Sequence, residues 1–124
     1  MSKNRIVVIC PGRGSYTRET GDYLKEYGTP VRKSIQWMDD QRETQGLISL
    51  TNLDRQNFKA RTHMVGENAS SLIYACSLSD FMSIDRTKYE IVSVLGNSMG
   101  WYTALVLSGA VSWENGFYLI NTMG

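Results

Sequence analysis

Five residues in the last quarter of this 124-residue chain, Gly96-Asn97-Ser98-Met99-Gly100, set a serine between two glycines at Gly-x-Ser-x-Gly spacing. An apolar β-branched run precedes them and a helix-forming run follows. In that context a serine hydroxyl is held on a strained strand-to-helix turn, where it can act as a nucleophile. Small residues two positions either side let strand and helix approach, and Gly96 and Gly100 meet that demand. The turn also sets Ser98 at a helix N-terminus, where free N–H groups and the positive dipole end stabilise an oxyanion. The Met99 amide is the first such donor. The competing reading is an ordinary glycine-rich turn, and the five-residue pattern alone does not separate the two. The strand before it and the helix after it favour the nucleophile.

A second loop, Pro11-Gly12-Arg13-Gly14-Ser15-Tyr16-Thr17, closes the first strand. The ends of successive strands of a parallel sheet open on one face, so this loop can bring a second oxyanion amide beside Ser98. A phosphate-binding loop is disfavoured, because Gly12-Arg13-Gly14 lacks both the third glycine of the dinucleotide fingerprint and the Lys-Ser/Thr of a P-loop. A serine nucleophile needs a base. The one histidine, His63, lies in a polar stretch that orients nothing toward Ser98, and is expected to be exposed or locally bonded.

These loops must be carried by elements that the apolar pattern predicts. Ile6–Cys10 reads as a buried strand stopped by Pro11-Gly12. Gly21 to about Gln45 reads as two helices broken at Gly28 and Pro30, and Gly46 to Lys59 as loop or a short helix. Glu67–Ile84 is apolar on most of its circumference, the mark of a buried helix. A second strand spans Tyr89–Leu95. A helix follows over Met99–Ser108 with Gly109 as its terminator, and Ser112 caps a last helix with Glu114 in its first turn. Strands alternating with helices predict an α/β fold with a parallel sheet.

The composition sets the frame. With 42% hydrophobic and 20% charged residues the chain suits one soluble globular domain, and a net charge of +1 gives no footprint for nucleic acid or an anionic membrane. No run is long enough for a membrane span, and Ile6–Cys10 is too short for a signal-peptide core. Cys10 and Cys76 stand in apolar contexts without a second cysteine nearby. They predict buried free thiols, no metal pair, and a reducing, cytoplasmic setting.

Three blocks, "ICPGRGSY", "GENASSLIYACSLSDF" and "GNSMGWYTALVLSGAVSWENGFYLINTMG", resemble in order and spacing the "FPGQGSQ", "TQPA" and "GHSLGEYTALV" regions of the malonyl-CoA:acyl carrier protein transacylases. The resemblance implies the N-terminal part of an α/β-hydrolase-like large subdomain, with residues 1–124 a partial acyltransferase domain. The family's catalytic histidine and small ferredoxin-like subdomain lie beyond the matched stretch. It implies Ser98 as the acyl-accepting serine, and backbone amides of Met99 and Arg13 as the oxyanion hole. Substrate contacts fall at Gly12, Gly14, Asn68, Asn97 and Met123. The implied reaction moves an acyl group from coenzyme A to the serine, then to the phosphopantetheine thiol of acyl carrier protein, with coenzyme A thioester as substrate and no bound cofactor. Fatty-acid or polyketide assembly is the implied setting. Three departures stand out: Asn97 replaces a histidine, Trp101 an acidic or polar residue, and Met123 the arginine that pairs with the malonyl carboxylate. A thioether cannot replace a bidentate guanidinium contact, which makes an uncharged or differently held acyl group the alternative. A serine esterase or thioesterase is the second reading. A non-catalytic chain that self-associates through an uncovered face is the third.

Overall fold

The computed structural model describes residues 2–123, with the side chain of Met123 outside the described part. Two strands, β1 (Asn4–Cys10) and β2 (Tyr89–Gly96), pair in parallel from Asn4 opposite Tyr89 to Cys10 opposite Gly96. The register shifts at Ile6/Val7, where Ile6 faces Ile91 and Val7 faces Ser93, so Val92 is the extra residue. Parallel strands need a long crossover. Here it runs through four helices, α1 (Thr29–Thr44), α2 (Leu50–Arg55), α3 (Ala60–His63) and α4 (Gly66–Met82). Helices α5 (Gly100–Leu107) and α6 (Trp113–Met123) follow β2. This is the α/β arrangement with a parallel sheet and flanking helices that the alternating pattern predicts.

Helix α4 forms the centre. It is buried without interruption from Asn68 to Cys76, as a helix apolar all round requires, and α2, α5 and α6 pack against it. Leu72, Tyr74, Met38, Leu50, Leu53, Phe117 and Ile120 fill the core. Of the two helices expected between Gly21 and Gln45, the second is α1, entered through Pro30 in its first turn, where the missing N–H costs no bond. The first is instead two short 3₁₀ turns, Arg18–Thr20 and Tyr23–Glu26. The second starts where Tyr23 and Leu24 donate their amides to the Asp54 carboxylate, at 3.0 and 2.8 Å. Gly109, at φ 86°, terminates α5, and the Ser112 hydroxyl accepts the Asn115 amide at the start of α6.

One face of the sheet looks onto α4 and α5. The other is open, and Val7, Ile9, Val92 and Leu95 stand 42 to 69% exposed on the two strands. Among the described residues no helix is long and apolar enough to cross a membrane.

Candidate active site

The end of β1, the end of β2 and the start of α5 converge with no room to spare. A Cβ on Gly100 would lie 2.1 Å from the Cys10 carbonyl oxygen, and one on Gly96 would lie 2.5 Å from the Gly100 carbonyl. Only glycine fits at either position. The turn between them is closed by bonds from Gly100 N–H to Asn97 O (2.9 Å) and Trp101 N–H to Ser98 O (3.1 Å). The Asn97 N–H donates to Cys10 O at 3.1 Å and ties the turn to β1.

Ser98 stands at the tip with φ 56°, in the left-handed region that costs a residue with a Cβ about 1–2 kcal/mol. Its side chain is exposed, and its hydroxyl bonds to none of the described residues. The Met99 amide likewise donates to none of them, so it is free to meet an oxyanion, while the Met99 side chain is buried against Thr103.

The Pro11–Thr17 loop reaches this point through Gly12. A Cβ there would meet Asn97 O at 2.8 Å and the Ser98 Cβ at 3.1 Å, so the loop backbone lies directly against the serine. The turn is made at Gly14, with φ 94°, and held by the Ser15 hydroxyl donating to Gly12 O at 3.1 Å. The exposed Arg13 sits between, and its amide has no partner among the described residues. Two unbonded amides thus lie close by in sequence, Met99 next to the strained serine and Arg13 next to the Gly12 that abuts it.

Chains of known structure share the fold that carries these loops. MCAT from Mycobacterium tuberculosis superposes with a TM-score of 0.76 at 20% identity, over 98% of this chain and 39% of that one. The chain has the fold of part of a malonyl transacylase. The malonyl CoA-acyl carrier protein transacylase from Coxiella burnetii (TM-score 0.69, 16% identity, 96% and 36% of the two chains) and the acyl-carrier-protein S-malonyltransferase from Burkholderia pseudomallei (0.66, 20%, 95% and 36%) have the same fold. The chain therefore spans less than half the length of these transacylase structures. No protein-family model and no curated protein matches it by sequence.

The remaining candidate residues fall elsewhere in the transacylase fold. His63 is buried, not exposed. Its Nδ1 accepts the Lys59 amide at 3.1 Å, its Nε2 lies 2.7 Å from Leu53 O, and its ring stacks on Phe58 and Tyr16. With both nitrogens held by backbone, it is the locally bonded histidine of the two alternatives. Asn68, at the start of α4, is buried, and its amide is spent on the Arg42 guanidinium (2.7 Å) and Thr62 O (2.9 Å). Substrate contact there would have to open those bonds. Asn97 is exposed beside the serine, and Trp101, the second residue of α5, is 57% exposed. The Met123 side chain lies outside the described residues. Cys10 and Cys76 are free and buried, and desolvation pushes both thiols above the usual cysteine range.

Arg42 is the residue that motif reading passes over. Its guanidinium is fully buried and donates to Ile48 O (2.7 Å), Glu67 O (3.0 Å), Asn68 Oδ1 and Asn121 Oδ1 (2.6 Å), joining α1, α4 and α6. Desolvation pulls it below the usual arginine range. The signal was present: Val31, Ile35, Met38 and Arg42 follow the inward spacing of one helix face, which puts position 42 in the core.

Proposed function

We propose that residues 1–124 carry the acyl-accepting part of a transacylase site, with Ser98 as nucleophile. The observation that carries this reading is Ser98 itself: a non-glycine residue at φ 56°, exposed and unbonded, with unbonded amides close by in sequence and over glycines that tolerate no Cβ. Strain of this kind persists where the surroundings over-determine it, and it clusters at reactive sites. The names of the fold neighbours supply the substrate class.

In the reaction, Ser98 Oγ adds to the carbonyl carbon of a coenzyme A thioester, and the Met99 and Arg13 amides hold the oxyanion. The C–S bond breaks, the serine proton passes to the departing sulfur, and coenzyme A leaves as the thiol. The phosphopantetheine thiol of acyl carrier protein then attacks the serine ester, the C–O bond breaks, and Ser98 regains its proton. His63 takes no part, since both its nitrogens are bonded to backbone. Loss of general-base assistance slows such a step by about 10²–10⁴-fold, so acylation of this chain alone is slow. With methionine at 123, acetyl and longer acyl groups react at least as well as malonyl.

Intact-mass measurement after incubation with malonyl-CoA, acetyl-CoA and a longer acyl-CoA tests this. An acyl adduct on the native chain and none on Ser98→Ala is expected. Equal adducts on both, or none on either with any thioester, would refute the assignment.

A further inference from the structure

The Arg13 amide, the second of the proposed oxyanion donors, stands in a loop with little of its own to hold it. Among the described residues, 11–16 make no backbone–backbone hydrogen bond. One end of the loop is fixed at Cys10, whose carbonyl takes the Asn97 amide, and the turn itself is braced by the Ser15 hydroxyl on Gly12 O. What fixes the other end is the side chain of Tyr16.

Tyr16 is buried in a socket made by α2 and α3. Its hydroxyl donates to Asp54 Oδ1 at 2.7 Å. The Asp54 carboxylate is itself buried and cannot swing away, since it also accepts the Tyr23 and Leu24 amides. The Tyr16 ring lies parallel to that of His63, with centroids 6.0 Å apart and planes 3° apart, and His63 is locked in turn by the Lys59 amide and Leu53 O. Packing alone does not call for the hydroxyl, because a phenylalanine would fill the same space against His63. The hydroxyl adds direction, tying Tyr16 to one point on α2. Burial, joined by the Asp54 carboxylate, holds the phenol above the usual tyrosine range, so it stays a donor at neutral pH. Gly12 and Tyr16 are then both fixed, and Arg13 stands between them with little room to drift.

We propose that Tyr16 is a positioning residue for acyl transfer: seated on Asp54 and His63, it fixes where the Arg13 amide stands relative to Ser98. The role rests on the reading of Ser98 and Arg13 given above. His63 acts in it as a surface for the Tyr16 ring, not as a base.

Tyr16→Phe tests it, because Asp54 keeps two amide donors and the ring keeps its stack, so the variant folds. Tyr74→Phe is the control for lost stability, since it removes another hydroxyl, the one bonded to Trp113 O at 2.6 Å between α4 and α6. Nitrogen-15 relaxation reads the loop without substrate. In the native chain and in Tyr74→Phe the Arg13 and Gly14 amides have the order parameter of rigid backbone, about 0.85; in Tyr16→Phe they fall below about 0.6 while Asn97 and Gly100 keep theirs. With acetyl-CoA, Tyr16→Phe forms the Ser98 ester about tenfold or more slowly at an unchanged half-saturating concentration, a part of the about 10²–10³-fold that loss of an oxyanion donor costs. The ester carbonyl then absorbs at a higher infrared frequency, because one hydrogen bond to it has loosened, and Tyr74→Phe leaves it where it was. Loop order or a carbonyl band that Tyr16→Phe does not change would overturn the role of Tyr16 and leave the Ser98 reading standing. So would equal losses in Tyr16→Phe and Tyr74→Phe. No ester on the native chain would overturn the Ser98 reading, and this role with it.

Discussion

Replacing Ser98 by glycine should stabilise the chain, although it removes the proposed nucleophile. At φ 56° the Ser98 Cβ crowds its own carbonyl, at a cost of about 1–2 kcal/mol that glycine does not incur. Glycine gives back about 0.5–1 kcal/mol through the greater freedom of the unfolded chain. The hydroxyl contributes nothing to either side, because it bonds to none of the described residues. Ser98→Ala, which keeps the Cβ, should therefore match the native chain within a few tenths of a kcal/mol, and Ser98→Gly should exceed both by about 0.5–1 kcal/mol. For a domain of this size that is a rise in Tm of about 2–5 °C. Urea and thermal unfolding of the three proteins, followed by far-UV circular dichroism, would measure it. Ser98→Gly at or below Ser98→Ala would mean that position 98 is not held in a strained conformation, and the reactive-serine reading would lose its main support.

Gly100→Ala should fail to fold or lose about 3 kcal/mol or more, because the new Cβ would lie 2.1 Å from the Cys10 carbonyl oxygen and only backbone could move; a native-like urea midpoint would contradict this. Arg42→Met should cost about 3 kcal/mol by leaving four buried or half-buried acceptors on Ile48, Glu67, Asn68 and Asn121 without their donor, read as a lowered urea midpoint at unchanged slope. The chain should also lose stability in alkali. The bond to the Asp80 carboxylate raises the Tyr23 phenol to about 12, and burial, joined by the Asp54 carboxylate, raises Tyr16 further. An acid whose folded pKa lies above its unfolded value of about 10 stabilises the fold fully below pH 10, and the gain is lost as pH rises toward 12. Phenolate absorbance at 295 nm should show these tyrosines ionising together with unfolding, and a complete titration near pH 10 with the fold intact would refute the assignment.

Much of this architecture was legible because its signals are local. The β-branched run Ile6–Cys10 stops at Pro11-Gly12, Tyr89–Gly96 stops at a glycine that cannot carry a Cβ, and Gly109 occupies the left-handed position that ends α5. What the pattern missed depends on contacts between distant segments. The stretch from Gly21 has helix-compatible composition, yet Asp54, some thirty residues on, captures the amides of Tyr23 and Leu24, and the start of the stretch settles into a 3₁₀ turn. The short helix α2, left open between loop and helix, forms where the buried Asp39 carboxylate accepts the Leu50 amide and Ser49 accepts that of Asn52. The Asp39 acceptor is not recognisable until the tertiary fold brings it there, whereas Ser49 is a local cap adjacent to the helix it starts.

The same distinction applies to the site. The Gly96–Gly100 turn was readable from five residues because its demands are steric and adjacent, and so was the loop at Gly12 that abuts it. His63 was ambiguous, and Asn68 was read as a substrate contact only through the resemblance, because a polar side chain in sequence says nothing about which partner it will find. In the fold both are consumed by structure, His63 by the backbone of α2 and α3 and Asn68 by Arg42. In the proposed site the serine is strained and the chain's one histidine is bonded to backbone elsewhere, so the proposed chemistry is limited by proton movement rather than by polarising a carbonyl. Added base should then accelerate acylation of Ser98: imidazole in the reaction should raise the rate in proportion to its concentration in the native chain and leave Ser98→Ala unlabelled. A rate independent of imidazole would mean that proton transfer is not what limits this serine.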